Sequence, residues 1–221
     1  MDIKKALYLE QDATYKYHQM KLYKPGDVYQ YENDEEEKIV FLDEGAALIQ
    51  AQGKESDWVS HDLVTPKYII SLENMMTNVY ISSYLMYRVK FVETSRMYIV
   101  DRDYFLNHLY LNPLDFQEFF ESLAIKYINK TRMISVSNES PVTKIANSLF
   151  AIIYTLHPNQ QVKSYQLPSY ITQKFISEYS STGKARTSEA LKELERIGIV
   201  QQKKPLKIDV ERLNRFITNE H

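Results

Sequence analysis

Up to about residue 112 the chain alternates short runs of β-branched and aromatic residues with turn signals and contains little that reads as long helix. "MKLYKPGDVYQYE" (20–32) predicts a strand, a Pro-Gly turn and a second strand, and "EKIVFLDEGAALIQAQG" (37–53) repeats the plan around Glu44-Gly45. "DWVSHDLVT" and "VYISSYLMYRVKFVETSRMYIVD" add further strands, the latter with apolar residues alternating at Val79 and Ile81 and again at Met97 and Ile99. Many short strands between turns predict a small barrel or roll, and the 18 tyrosines suit strands with one wet face.

Near residue 102 the period changes. "DRDYFLNHLYLNP" puts Tyr104, Phe105 and Leu109 at helical spacing and stops at Asn112-Pro113. From Leu114, the positions Phe116, Phe120, Leu123, Tyr127, Thr131 and Ile134 recur every three or four residues, a stripe of about six turns. A stripe of that length predicts a dimer seam through Phe116, Phe120, Leu123, Tyr127 and Ile134 as well as a support; a long helix simply lying on the roll is the other reading. "SNESPVTKIANSLFAIIYTLH" then restarts a helix, with Ser140 as N-cap, Pro141 in the first turn and Ile145, Leu149, Ile152 and Ile153 as its apolar face.

After the loop "PNQQVKSYQLPS", the stretch from Ser169 divides into helix, short turn, helix, hairpin, helix. Its first helix is expected to bury Ile171, Phe175, Ile176 and Tyr179, and its second Ala190, Leu191, Leu194 and Ile197; "GIVQQKKPLKIDV" is a strand pair closed by Lys203-Lys204-Pro205. This is a winged helix-turn-helix plan, in which the second helix enters the major groove and the hairpin follows the backbone. Two helices on a tight turn also occur in domains that bind only protein. The DNA reading is favoured by Lys184, Arg186, Thr187 and Ser188 at the start of the second helix, the end that meets base edges.

Charge sharpens this division. The chain carries a net −2, but residues 160–221 hold eleven Lys/Arg against seven Asp/Glu, a surplus of four positive charges, while the rest holds 16 against 22. A basic segment on an acidic body suggests that the segment faces a polyanion. With no cysteine, there is no disulfide, thiolate catalysis or cysteine-ligated iron–sulfur or zinc site. No apolar run approaches a membrane helix and the start, "MDIKKALYLEQD", is too polar for a secretory signal, so a cytoplasmic protein without membrane contact is expected. Glycines occur only at 26, 45, 53, 183 and 198, which leaves no phosphate loop; His18, His61, His108, His157 and His221 have no paired metal spacing; and no nucleophile elbow occurs. Neither an enzyme nor a metal site is expected.

The order of elements, with "KPGDVY", "FLDEGAALI" and "ETSRMYIVDRDYFLNHLYLNP" in front and "ITQKFISEYSSTGKARTSEALKELERIGIV" and "LKIDVERLNRF" behind, resembles the Crp/Fnr family of bacterial transcription regulators. It is most similar to the divergent Gram-positive branch that includes the listerial virulence regulator. The resemblance implies an α+β protein. It would comprise an N-terminal β-roll (a double-stranded β-helix like cyclic-nucleotide-binding domains) over 1–112, a long dimerisation helix over 113–138 and a winged helix-turn-helix over 139–221. It also implies a homodimer on a palindromic double-stranded DNA operator, with RNA polymerase as a further partner.

Departures from the family pattern carry their own expectations. Cyclic-nucleotide binders hold the phosphate with backbone N–H groups behind a Gly-Glu pair and with an Arg-Ser pair. The corresponding stretch here, "YIISLENMMTNVYISSYLMYRV", has no glycine, and Leu85-Met86 stand about where Arg-Ser would; Arg88 is displaced and reads as a solvated strand charge. No cyclic nucleotide is therefore expected, and without cysteine no iron–sulfur cluster. An effector of another kind stays open: Tyr68, Tyr80, Tyr84 and Met86 are placed to line an aromatic pocket closed by Tyr127, or equally to fill the core of a roll that senses nothing.

In the second helix, Lys184, Ala185 and Glu189 replace the common Arg-Glu-x-x-x-Arg pattern, which makes Arg186 the candidate for a bidentate guanine contact. Thr187 and Ser188 are candidates for a base edge or thymine methyl, Thr172 and Gln173 for phosphate, and Lys203 and Lys204 for phosphate alone. Glu189 is open to pairing with Lys192 or Arg186. Ser181 stands where many members carry the turn glycine. The rival to a DNA-binding regulator is a regulatory protein of the same fold that acts through protein contact or has lost specific DNA binding.

Overall fold

The structure is a computed structural model that describes residues 3–30, 38–53, 57–66, 68–75, 87–157 and 162–219. The chain divides into two compact units, 1–126 and 127–221.

The first unit begins with a short helix α1 (Ile3–Ala6) and a 3₁₀ turn over Asp12–Tyr17, neither of which the strand-dominated sequence pattern predicts. Strands β1 (His18–Tyr23), β2 (Val28–Gln30), β3 (Lys38–Glu44), β4 (Ala47–Gln52), β5 (Trp58–Val64), β6 (Tyr87–Phe91) and β7 (Ser95–Asp101) follow. They form two antiparallel sheets, β1-β7-β3 and β2-β6-β4-β5. The two glycine turns read from the sequence do not close hairpins: β1 pairs with β7 and β2 with β6, and β3 and β4 likewise lie in different sheets. Each turn carries the chain from one sheet to the other. At Gly45 the crossing demands glycine twice over, because φ is +87° and a Cβ would stand 2.6 Å from the Thr94 carbonyl oxygen.

Side-chain alternation along β3 and β7 builds two cores. Val40, Leu42, Met97 and Ile99 face the second sheet and pack with Tyr29, Val64, Val89 and Phe91. Ile39, Phe41, Tyr98 and Val100 face the other way, onto Ile3, Leu7, Phe105 and Phe119. This sheet is covered on both sides, which explains the unbroken apolar runs "IVFL" and "MYIV". The outer layer is closed by α2 (Arg102–Leu111) and the start of α3 (Pro113–Ser135). Asp101 caps α2 by accepting from the Tyr104 N–H at 3.0 Å. Pro113 ends one helix and occupies the first position of the next, where its missing N–H costs nothing.

Arg88 is not a solvated strand charge. Its guanidinium lies 4.3 Å over the Trp58 ring and its Nε donates to Gln50 Oε1 at 2.9 Å, because the neighbouring strands offer both a π face and a buried amide.

In the second unit, α4 (Pro141–Leu156) starts at its Ser140 N-cap and buries Ile145, Leu149, Ile152 and Ile153, as the spacing predicts. It packs against α5 (Gln173–Tyr179), α6 (Lys184–Arg196) and α7 (Val210–Asn219). A three-stranded sheet, β8 (Ser164–Gln166) beside β10 (Leu206–Asp209) beside β9 (Val200–Lys203), completes it. Among the described residues, no helix is long and apolar enough to cross a membrane.

Candidate nucleic-acid interface

The connection between α5 and α6 is built from hydroxyls where many such turns use glycine. Thr172 caps α5 by accepting from the Phe175 N–H at 3.1 Å. At the far end Ser181 adopts the left-handed conformation, φ +52°, in the place expected for glycine. Two hydroxyls converge on the Thr182 carbonyl: Ser177 Oγ donates at 2.5 Å and Thr187 Oγ1 at 3.2 Å. The Thr182 N–H in turn donates to the Ser177 carbonyl at 3.0 Å. Gly183 then begins α6 with no side-chain cap. The two helix starts are tied together by Gln173 Nε2, which donates to the Lys184 carbonyl at 3.4 Å.

This lock decides which side chains are free. Thr187, expected at a base edge, is 0% exposed, since its hydroxyl is turned inward to hold the turn. Lys184 and Arg186 are exposed, Ser188 is half-buried, and neither cation has an ion-pair partner among the described residues. Glu189 is exposed and forms no ion pair there, with Lys192 or with Arg186. The β9–β10 hairpin supplies two more cations with different circumstances. Lys203 Nζ is 2.5 Å from Glu195 Oε2 of α6, so one hairpin lysine is already neutralised. Lys204, at the hairpin tip, is exposed and unpaired among the described residues.

Thr172, Gln173, Ser188, Lys203 and Lys204 line one cavity of about 700 Å³ between α5, α6 and the hairpin. Five of the eight residues singled out as DNA contacts thus surround a single concavity. Two others, Lys184 and Arg186, lie on the adjoining first turn of α6. Two residues of the arrangement were missed. Lys192 lines the same cavity and shares a helix face with Lys184 and Ser188 at four-residue spacing, a periodicity visible in the sequence. Glu195 gives no local signal, because its partner is eight residues away on another element.

On α3 the expected seam resolves into two faces. Phe120, Tyr127 and Ile134 are 62%, 73% and 71% exposed, and Phe116 is exposed as well. Leu123 departs from them: it is half-buried and packs against the outer core beside Phe119, one turn away from the exposed row. Lys126 holds the same side of the helix through an ion pair of 2.9 Å with Asp62 of β5.

Of the aromatic pocket residues, Tyr68 packs against the inner core with the Lys126 ammonium 5.5 Å from its ring, and Tyr127 is exposed. Tyr80, Tyr84 and Met86 lie outside the described residues.

No family model and no curated protein matches this sequence. Solved structures match it over nearly its whole length. A cyclic nucleotide-binding domain containing protein from Listeria monocytogenes EGD-e aligns at a TM-score of 0.76 with 20% identity, covering 96% of this chain and 99% of its own. A transcriptional regulator of the CRP/FNR family from Thermus thermophilus aligns at 0.64 with 14% identity over 90% of this chain and 98% of its own. FixK2 from Bradyrhizobium japonicum aligns at 0.65 with 11% identity over 90% and 96%. The chain has the fold of the Crp/Fnr regulators. On that fold the residues Thr172, Gln173, Lys184, Arg186, Ser188 and Lys204 lie on α5, α6 and the β9–β10 hairpin of the second unit, within 172–204 of the chain.

Proposed function

We propose that this protein is a dimeric, sequence-specific DNA-binding transcription regulator of the Crp/Fnr type, not controlled by cyclic nucleotide. The observation that carries the reading is the exposed cations Lys184 and Arg186 on the first turn of α6, without an ion-pair partner among the described residues, together with the exposed Lys204 of the hairpin. A helix that enters the major groove presents its N-terminal residues to base edges, and a planar guanidinium there matches guanine O6 and N7. Gln173, Lys204 and the Thr172 hydroxyl serve as phosphate contacts that set register without carrying sequence information. In this role α5, α6 and the hairpin act as a winged helix-turn-helix, and two copies bind a palindromic operator beside RNA polymerase in the cytoplasm.

The exposed row Phe116, Phe120, Tyr127 and Ile134 supports dimerisation through α3. Phe120, Tyr127 and Ile134 are spaced by seven, the repeat of a two-helix seam. Cyclic-nucleotide control is excluded from the proposal because no glycine stands between Gly53 and Gly183 to let backbone approach a phosphate. No catalytic step and no resident metal is invoked.

Selection from random oligonucleotides at physiological salt tests the reading. An enriched two-fold symmetric site is the expected result. Binding that stays indifferent to sequence overturns it and leaves the regulator that works through protein contact.

A further inference from the structure

The cavity between α5, α6 and the β9–β10 hairpin has a chemistry that DNA contact alone does not call for. Its floor is apolar: Pro168, Ile171, Ile176, Leu191 and Leu206 all line it. Four of these, Ile171, Ile176, Leu191 and Leu206, are buried core residues, so the floor belongs to the packed interior of the unit. Its rim is cationic, with Lys192, Lys203 and Lys204, and no Asp or Glu is among the lining residues. Lys203 is held by Glu195, which leaves Lys192 and Lys204 uncompensated among the described residues. Its volume of about 700 Å³ falls within the ~300–1,000 Å³ typical of small-molecule sites.

Phosphate groups of a duplex are met by protruding cations and backbone N–H groups, and a concave apolar floor beneath such cations gives a polyanion nothing to bind. An apolar body with one acidic group fits both parts: the body covers the floor and the carboxylate meets the cationic lining at Lys192 and Lys204.

We propose that this groove binds a small amphipathic organic acid, an apolar body bearing one carboxylate, and that its occupation excludes DNA. The exclusion rests on the reading of this face as the DNA-binding one; the binding itself does not.

The test uses the full chain and two probes, anilinonaphthalene sulfonate followed by fluorescence and decanoate followed by methyl chemical shifts. The expected result is saturable binding of both, with decanoate displacing the dye and shifting the methyls of Ile171, Ile176, Leu191 and Leu206. Lys192→Glu is expected to weaken both probes about tenfold, and Ser188→Trp, which fills the groove from α6, to abolish binding at an unchanged melting temperature. Should Ser188→Trp fail to fold, Lys192→Glu and the methyl shifts carry the test. No saturable binding, shifts confined to methyls elsewhere, or affinity unchanged in Lys192→Glu overturns the site. With a selected operator in hand, decanoate is expected to raise the operator Kd in step with groove occupancy; no change overturns the exclusion. A chain without sequence preference whose groove methyls still shift would sink the DNA reading and leave the site standing. A chain that binds its operator while those methyls stay fixed would do the reverse.

Discussion

Lys203 at the end of β9 and Glu195 near the end of α6 form an ion pair, Nζ to Oε2 2.5 Å, that neutralises one of the hairpin's two cations. Both side chains are nearly half exposed, so the pair itself adds little to stability. Its consequence is for the surface: a lysine available to phosphate must first leave its carboxylate. Glu195→Gln is therefore expected to strengthen DNA binding on every sequence alike and to steepen the salt dependence by about one phosphate contact. Fluorescence anisotropy across a series of salt concentrations measures both.

Arg186 and Lys204 differ in what they read. Arg186→Ala is expected to cost about 1–3 kcal/mol on the selected operator and to relax base preference at one position per half-site. Lys204→Ala is expected to weaken all sequences alike and flatten the salt slope by about one. Competition binding against operators mutated one base pair at a time separates the two outcomes.

Thr187 is buried and its hydroxyl donates to the Thr182 carbonyl, so it should matter to stability and not to base choice. Thr187→Val keeps the shape and removes one hydrogen bond, with an expected loss of about 1 kcal/mol. Urea denaturation measures the loss, and the base preference of the folded variant should match the wild type.

Phe119 and Phe120 are neighbours in sequence with opposite surroundings, one buried in the outer core and the other exposed. Phe120→Glu is expected to give a monomer by sedimentation at micromolar concentration, with the melting temperature of the strand-rich unit kept. Phe119→Ala is expected to cost about 3–5 kcal/mol by hollowing that core.

Asp101 gives the fold a dependence on acid. Burial works to raise its carboxyl, but the Tyr104 N–H and the Lys38 ammonium outweigh burial and hold it below its ordinary value of 3.8. A carboxyl lowered in the folded state stabilises above its unfolded value, and the contribution disappears as pH falls through the folded one. Asp101→Ala is expected to be about 1 kcal/mol less stable than the wild type at neutral pH. The gap should close in acid below 3.8, as denaturation midpoints across pH would report.

Much of this was legible along the chain because it depends on neighbours in sequence. The cap at Ser140, the apolar face of α4, the hairpin at Lys203-Lys204-Pro205 and the exposed cations Lys184 and Arg186 all follow from local spacing and residue chemistry. The sequence offers Thr187 as a base contact because a threonine on the first turn of a helix looks alike whether its hydroxyl faces water or a carbonyl; the Thr182 carbonyl, five residues earlier, takes the hydroxyl instead. Leu123 falls in the expected seam because a three-or-four spacing does not distinguish two adjacent apolar faces of one helix, and it packs on the outer core instead.

By itself the sequence determined the change from a strand-rich first part to helices near residue 102, the basic balance of the last 62 residues and the set of cations at the start of α6, since each is carried by local pattern and composition; it did not show α1, the 3₁₀ turn at Asp12–Tyr17 or β8, which lies in the stretch read as a loop. Tertiary structure alone decided that the glycine turns cross between sheets, that Glu195 neutralises Lys203, and that Lys192 and Lys204 line one cavity with Ile171, Ile176, Leu191 and Leu206. These are relations between elements distant in sequence, fixed when the hydrophobic cores close and bring side chains together that no local period connects.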